Sequence, residues 1–90
     1  LFSDTWDVSC TLDSASIATT ATATDTVTVP GVVLGDMVLG MSIKVSEAGL
    51  VRRAYVSAAD TVTIVTYNPT AGSINLDSTN MQLVIGRAVV

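Results

Sequence analysis

The stretch Thr22-Ala-Thr-Asp-Thr-Val-Thr-Val-Pro-Gly-Val-Val-Leu-Gly-Asp-Met-Val-Leu-Gly-Met-Ser-Ile-Lys-Val45 decides the fold. Thr22, Thr24, Thr26 and Thr28 fall on one side of an extended chain, with Ala21, Ala23, Asp25, Val27 and Val29 on the other. That period of two is the signature of a strand. Val29-Pro30-Gly31-Val32 then fits a type II turn, because Pro30 presets φ at the second position and Gly31 accepts a positive φ at the third. Gly35-Asp36 marks a second turn. Beyond it, Met37, Leu39, Met41, Ile43 and Val45 alternate with Val38, Gly40, Ser42, Lys44 and Ser46, which predicts a second, cleaner strand.

The same reading extends in both directions. Upstream, Trp6, Val8, Cys10 and Leu12 alternate with Asp7, Ser9, Thr11 and Asp13, and residues 14–20 form a connection. Downstream, Glu47-Ala48-Gly49 turns the chain into a strand from Leu50 to Ser57, with Leu50, Arg52, Ala54 and Val56 on one face. Ser57-Ala58-Ala59-Asp60 suits a hairpin loop. Thr61 to Tyr67 returns antiparallel, placing Val62, Ile64 and Thr66 against Thr63, Val65 and Tyr67. Asn68, Pro69 and Gly72 punctuate a loop, Ile74 to Leu76 is briefly extended, and Asp77 to Asn80 turns again. Met81, Leu83, Ile85, Arg87 and Val89 close the chain in alternation with Gln82, Val84, Gly86, Ala88 and Val90. The best helical window, 44–59, is broken by Gly49 and weakened by Val45, Val51 and Val56. The expectation is one all-β domain over residues 1–90. It is a small antiparallel β-sandwich of about six to eight short strands, with a small β-barrel as runner-up.

Composition narrows the function classes. The 90 residues are 49% hydrophobic but only 13% charged, so the chain is not of the disordered class. Its net charge is −4, and the four basic residues, Lys44, Arg52, Arg53 and Arg87, make no cluster. A nucleic-acid binder neutralises phosphates with clustered cations, so no nucleic-acid partner is expected. No run approaches the ~20 apolar residues of a membrane-spanning helix, and no membrane partner is expected. No signal peptide is visible. The chain opens on Leu1 rather than Met, which leads to the expectation that residues precede it. The single Cys10 cannot form an internal disulfide, which suits assembly in a reducing cytosol.

Catalytic equipment is sparse. With no histidine, nucleophile activation by Ser-His-Asp or Cys-His is excluded, as are the usual zinc sites. Cys10 sits on the apolar row with Trp6 and Val8, as a small core residue does. Asp25, Asp36, Asp60 and Asp77 each stand at or next to an expected turn, where a carboxylate bonds to nearby backbone. Asn75-Leu-Asp77-Ser-Thr79 alternates oxygen donors but lacks the glycine and the glutamate of a calcium loop. Asn68-Pro69-Thr70 is not a glycosylation acceptor, because proline blocks it. No enzyme, metal or cofactor is expected.

Several strands carry apolar residues on both faces: Val51 and Tyr55 opposite Leu50 and Val56, Val65 and Tyr67 opposite Val62 and Ile64, and Val84, Ala88 and Val90 opposite Leu83 and Ile85. A two-layer sandwich buries only one face of each sheet. The second face must meet water or another chain, and few charges protect the edges. The expectation is an oligomer or larger assembly, with Trp6, Arg53, Tyr55, Val65 and Tyr67 as interface residues. Arg52 and Arg53 point to opposite faces, so they form no joint anion clamp.

The segments Leu12-Asp-Ser-Ala-Ser-Ile-Ala18, Thr26-Val-Thr-Val-Pro-Gly-Val-Val-Leu-Gly-Asp36, Ala54-Tyr-Val-Ser-Ala-Ala-Asp-Thr-Val-Thr-Ile64 and Asn68-Pro-Thr-Ala-Gly-Ser-Ile74, in that order, resemble small structural proteins of tailed bacteriophages. The resemblance spans about residues 12–76. It implies a non-enzymatic β-sandwich module, a capsid decoration or cement protein on the outer capsid surface of the virion, made in the bacterial host cytoplasm. The implied partners are the major capsid protein, or another virion scaffold, and further copies in a homotrimer. The alternative is a head- or tail-fibre module that binds host surface or glycan. Met41-Ser-Ile-Lys44 and Arg52-Arg53 fall where such proteins vary.

Overall fold

The computed structural model describes residues 2–12, 16–44, 49–75 and 79–88. Among these residues six strands form: β1 (Phe2–Leu12), β2 (Thr22–Thr28), β3 (Met37–Ile43), β4 (Val51–Ala58), β5 (Thr61–Tyr67) and β6 (Thr79–Ala88). They make two three-stranded antiparallel sheets, ordered β1-β6-β3 and β2-β5-β4. The chain is all-β, as its alternation predicts.

The two inner rows make one core. From β6 come Met81, Leu83 and Ile85, from β5 Val62 and Ile64, and from the flanks Leu12, Val29, Val32 and Val56. Trp6, Val8, Cys10, Val27, Met41, Ile43 and Ala54 pack against it while half-buried. Cross-strand register sets this arrangement: Val27, Val62 and Val56 lie side by side across one sheet, and Val8, Leu83 and Met41 across the other. Fully burying each large aliphatic side chain contributes about 1.5–3 kcal/mol.

Both predicted turns form. Val32 N–H donates to the Val29 carbonyl at 3.4 Å with Gly31 at φ 100°. Asp36 N–H donates to the Val33 carbonyl at 3.1 Å with Gly35 at φ 99°. The β4–β5 hairpin closes through Ala59-Asp60, with Asp60 at φ 60° and a register shift between Val56 and Ala58. Asp60 then locks this tip to the Pro30-Gly31 turn. Its N–H donates to the Val32 carbonyl at 2.8 Å, its carbonyl accepts from Val29 N–H at 2.9 Å, and its Oδ1 accepts from Gly31 N–H at 2.8 Å.

Four expectations need correction. The alternation predicted through Met37 and Leu39 breaks at a register shift between Val38 and Gly40. The extra residue turns Leu39 and Met37 out to solvent and leaves Val38 half-buried. Asp25 sits mid-strand on the inner row of β2 beside Ile64, not next to a turn. β1 begins at Phe2, four residues before the predicted row starts, because β6 continues to Ala88 and pairs with it. Thr79 and Asn80 belong to β6, and the turn expected at residues 77–80 otherwise lies outside the described residues. So do the centre of the Glu47-Ala48 turn and the end of the predicted row at Val45, Val89 and Val90.

Candidate functional site

Four of the five predicted interface residues come together on one surface, the outer face of the β2-β5-β4 sheet. Three rows cross it. Thr22, Tyr67 and Val51 form one, Thr24, Val65 and Arg53 the next, and Thr26, Thr63 and Tyr55 the third. Val51 is 59% exposed, Tyr55 42% and Tyr67 39%. The Arg53 guanidinium lies 5.2 Å from the centroid of the Tyr55 ring, a cation–π distance. The face therefore graduates from hydroxyls on β2 to aromatic, aliphatic and cationic groups on β4. Among the described residues of these three rows, Arg53 is the only charged one. Arg52, two rows from Ile64 on the inner side, is half-buried, so the two arginines part as predicted.

Trp6 is placed elsewhere. It lies on the inner row of β1 beside Ile85, half-buried, with Arg87 at 5.1 Å from its ring centroid. Parity explains this: Trp6 shares the row of Val8 and Cys10, which the core occupies. It belongs to a tie between the sheets. Arg87 Nε donates to Asp36 Oδ1 at 2.9 Å, and Nη2 donates to Asp36 Oδ2 at 2.9 Å and to the Gly31 carbonyl at 3.0 Å. Val33 N–H donates to the same Oδ2 at 2.9 Å. The Asp36 side chain is 3% exposed. The bidentate bond from Arg87, followed by the Val33 N–H, holds the Asp36 carboxyl below the usual carboxylate range. Asp4 adds a looser contact to Arg87 at 3.7 Å.

Sequence reasoning found Asp36 as a turn former and missed Arg87 as its partner. One signal was available: Arg87 follows Met81, Leu83 and Ile85 in alternation, and a cation so close to a buried row needs a carboxylate.

The other predicted turn residues gather at the far end of β5. Asn68 is fully buried, and its Nδ2 donates to the carbonyls of Ile17 at 2.8 Å and Gly72 at 2.9 Å. Its Oδ1 accepts from Thr70 N–H at 2.9 Å and Thr70 Oγ1 at 2.6 Å. Thr19 Oγ1 donates to the Thr70 carbonyl, and Ile17 and Ile74 exchange backbone bonds of 2.8 and 3.0 Å. These contacts join the β1–β2 connection to the 68–74 loop. Pro69, Gly31, Gly35 and Gly72 are exposed, so the turns shape the ends of the sandwich without forming a cleft.

A shallow open groove of about 300 Å³ runs over the outer face of β1 and β6, lined by Asp7, Val8, Ser9, Gln82, Leu83 and Val84. It holds one carboxylate and no second titratable group. Cys10 is half-buried, and burial pushes its thiol pKa up, away from nucleophilic thiolate. Among the described residues no group of three or more Cys, Asp or Glu side chains could hold a metal ion. Among the same residues no helix is long and apolar enough to cross a membrane. Comparison with protein-family models, with curated proteins and with solved structures finds no match for the chain.

Proposed function

We propose that the chain is a structural virion protein, a capsid decoration or cement protein that binds the outer surface of a tailed-phage head without catalysing a reaction. The observation that carries the reading is the outer face of the β2-β5-β4 sheet, where Val51, Arg53, Tyr55, Val65 and Tyr67 form one partly exposed apolar and cationic surface. Tyrosine and arginine are the side chains that anchor protein–protein contacts most often. The net charge of −4 suits a position outside the shell, away from packaged DNA.

The mechanism is linkage. A protein that binds the assembled lattice and not its dissociated subunits stabilises the lattice by RT ln(1 + [L]/Kd), which is about 2.7 kcal/mol per site at 100-fold excess over Kd. An oligomer that spans adjacent capsomers multiplies modest single contacts through effective concentration. The partner is the major capsid protein.

Electron cryomicroscopy of virions with and without the protein tests this. Density repeating at equivalent positions of the icosahedral shell is the expected result. Density restricted to a fibre or the tail tip refutes decoration in favour of a host-binding module. Arg53→Ala with Tyr55→Ala is expected to lower occupancy on purified shells at least tenfold.

A further inference from the structure

We infer that two copies of this chain pair edge to edge, β1 of each hydrogen-bonding antiparallel to β2 of the other, about a two-fold axis parallel to the strands. The inference deepens the proposed function by naming the self-contact, and it rests on that reading only for its biological use. Among the described residues β1 and β2 each have a strand neighbour on one side only. β3 and β4 meet along one flank of the sandwich, which leaves β1 and β2 together along the other. Among the described residues that flank therefore presents two rows of backbone N–H and C=O groups without ladder partners. Such edges template pairing with another chain.

Direction and charge select the pairing. Arg87, which pairs with Asp4 near the start of β1, donates to the carbonyl of Gly31, just beyond the end of β2, so the two edges run in opposite directions. A two-fold axis along the strands places β1 beside the partner's β2 with antiparallel sense at both joints. Outer rows then continue into outer rows: Asp7, Ser9 and Thr11 come about level with Thr28, Thr26 and Thr24, a hydroxyl-rich ladder of favourable cross-strand pairs. Asp25 lies on the inner row and Asp7 on the outer one, so no two of these carboxylates share a face. A two-fold axis perpendicular to the strands instead sets β1 against β1 and β2 against β2. Centred on Asp7, it brings those two carboxylates together across the β1–β1 joint.

Size agrees. At ~3.3 Å per residue, the seven residues of β2 and eleven of β1 give a flank about 23–36 Å long. The molecule is 20–21 Å across its shorter axes. The flat footprint is roughly 450–700 Å², approaching the ~800 Å² of accessible surface per partner of a stable interface. The two joints also supply on the order of ten backbone hydrogen bonds, a typical interface complement. Closing three copies with the same joints bends each continuous sheet by about 60°, whereas two copies keep it straight.

Sedimentation equilibrium of the wild-type protein at 10–100 μM is expected to give twice the 9.3 kDa chain mass. Amide hydrogen exchange over residues 5–11 and 22–28 is expected to speed up at least tenfold on dilution to 1 μM, with β3 and β4 unchanged. Thr26→Asp with Thr28→Asp is expected to weaken the dimer at least tenfold through repulsion from Asp7, and adding Asp7→Lys is expected to restore it. Circular dichroism verifies that each variant folds. A monomer or a trimer at 100 μM overturns the inference, as does concentration-independent exchange at both edges. Because shell occupancy is measured on virions, a monomer that still decorates heads removes this contact and leaves the proposed function standing.

Discussion

Replacing Asn68 tests the account of what holds one end of the sandwich. Asn68 has no exposed surface, and all four of its amide hydrogen-bonding contacts are made within the protein, to Ile17, Gly72 and, twice, Thr70. In Asn68→Ala the Ile17 carbonyl keeps the Ile74 N–H and the Gly72 carbonyl keeps Thr70 Oγ1, so two acceptors stay satisfied. Thr70 N–H is left without that acceptor. The loss is thus two or three net hydrogen bonds at about 1 kcal/mol each, plus about 1–3 kcal/mol for desolvating the orphaned donor, for a total of about 3–6 kcal/mol. A domain of this length holds on the order of 5–13 kcal/mol in all. Urea unfolding followed by Trp6 fluorescence measures the change as a lower midpoint at constant slope. Asn68→Asp separates chemistry from shape. Its carboxylate accepts from Thr70 but faces the Ile17 and Gly72 carbonyls with no proton to donate, which raises its folded-state pKa. A raised carboxyl pKa means the folded variant binds its proton more readily than the unfolded chain does. The deficit of Asn68→Asp against wild type therefore shrinks as pH falls through the raised value. A loss under 0.5 kcal/mol for Asn68→Ala, or a deficit of Asn68→Asp that does not change with pH, refutes the reasoning.

Thr66 Oγ1 is fully buried and finds no hydrogen-bond partner among the described residues. Thr66→Val removes that orphan at nearly constant shape, and calorimetry is expected to show a gain of about 1 kcal/mol; a loss contradicts the assignment. Asp36 has its pKa depressed by Arg87, so the stability it confers is present above the unfolded carboxyl pKa and is lost as pH falls through the lower folded value. Asp36→Asn is expected to flatten the acid limb of the stability–pH curve, measured by urea midpoints from pH 2 to 7, and an unchanged limb argues against the tie. Two glycines are expected to differ. At Gly86 an added Cβ meets Phe2 at 2.8 Å and Leu39 at 3.0 Å, but both side chains are exposed and can rotate away, so Gly86→Ala costs under about 1 kcal/mol. Gly31→Ala must hold φ at 100° and costs about 1–2 kcal/mol, read as a lower melting temperature.

What could be seen in the sequence follows from the range over which each feature is determined. The Pro30-Gly31 and Gly35-Asp36 turns are fixed by four consecutive residues, and both form with the glycine at positive φ. The facing of Val62, Ile64 and Thr66 against Val65 and Tyr67 follows from strand parity, which holds until a residue is inserted. Parity with the β4–β5 hairpin also carried Arg53, Tyr55, Val65 and Tyr67 to one face. The same rule placed Trp6 with the core row, so grouping it with those four joined two opposite faces. Where one residue is added, as between Val38 and Gly40, the rule fails, because the insertion is settled by how β3 meets β6 and not by β3 itself. The pairing of Asp36 with Arg87 spans 51 positions and depends on β6 lying between β1 and β3. That strand order is a three-dimensional outcome of burying the Met81, Leu83 and Ile85 row, and a linear pattern does not encode it. The same reasoning distinguishes the two surfaces proposed for contact. The Tyr55 face is a consequence of parity and could be expected from alternation alone. The flank of β1 and β2 exists only because the sheet orders leave those two strands outermost on the same side, so its residues carried no sign of their role until the topology was known.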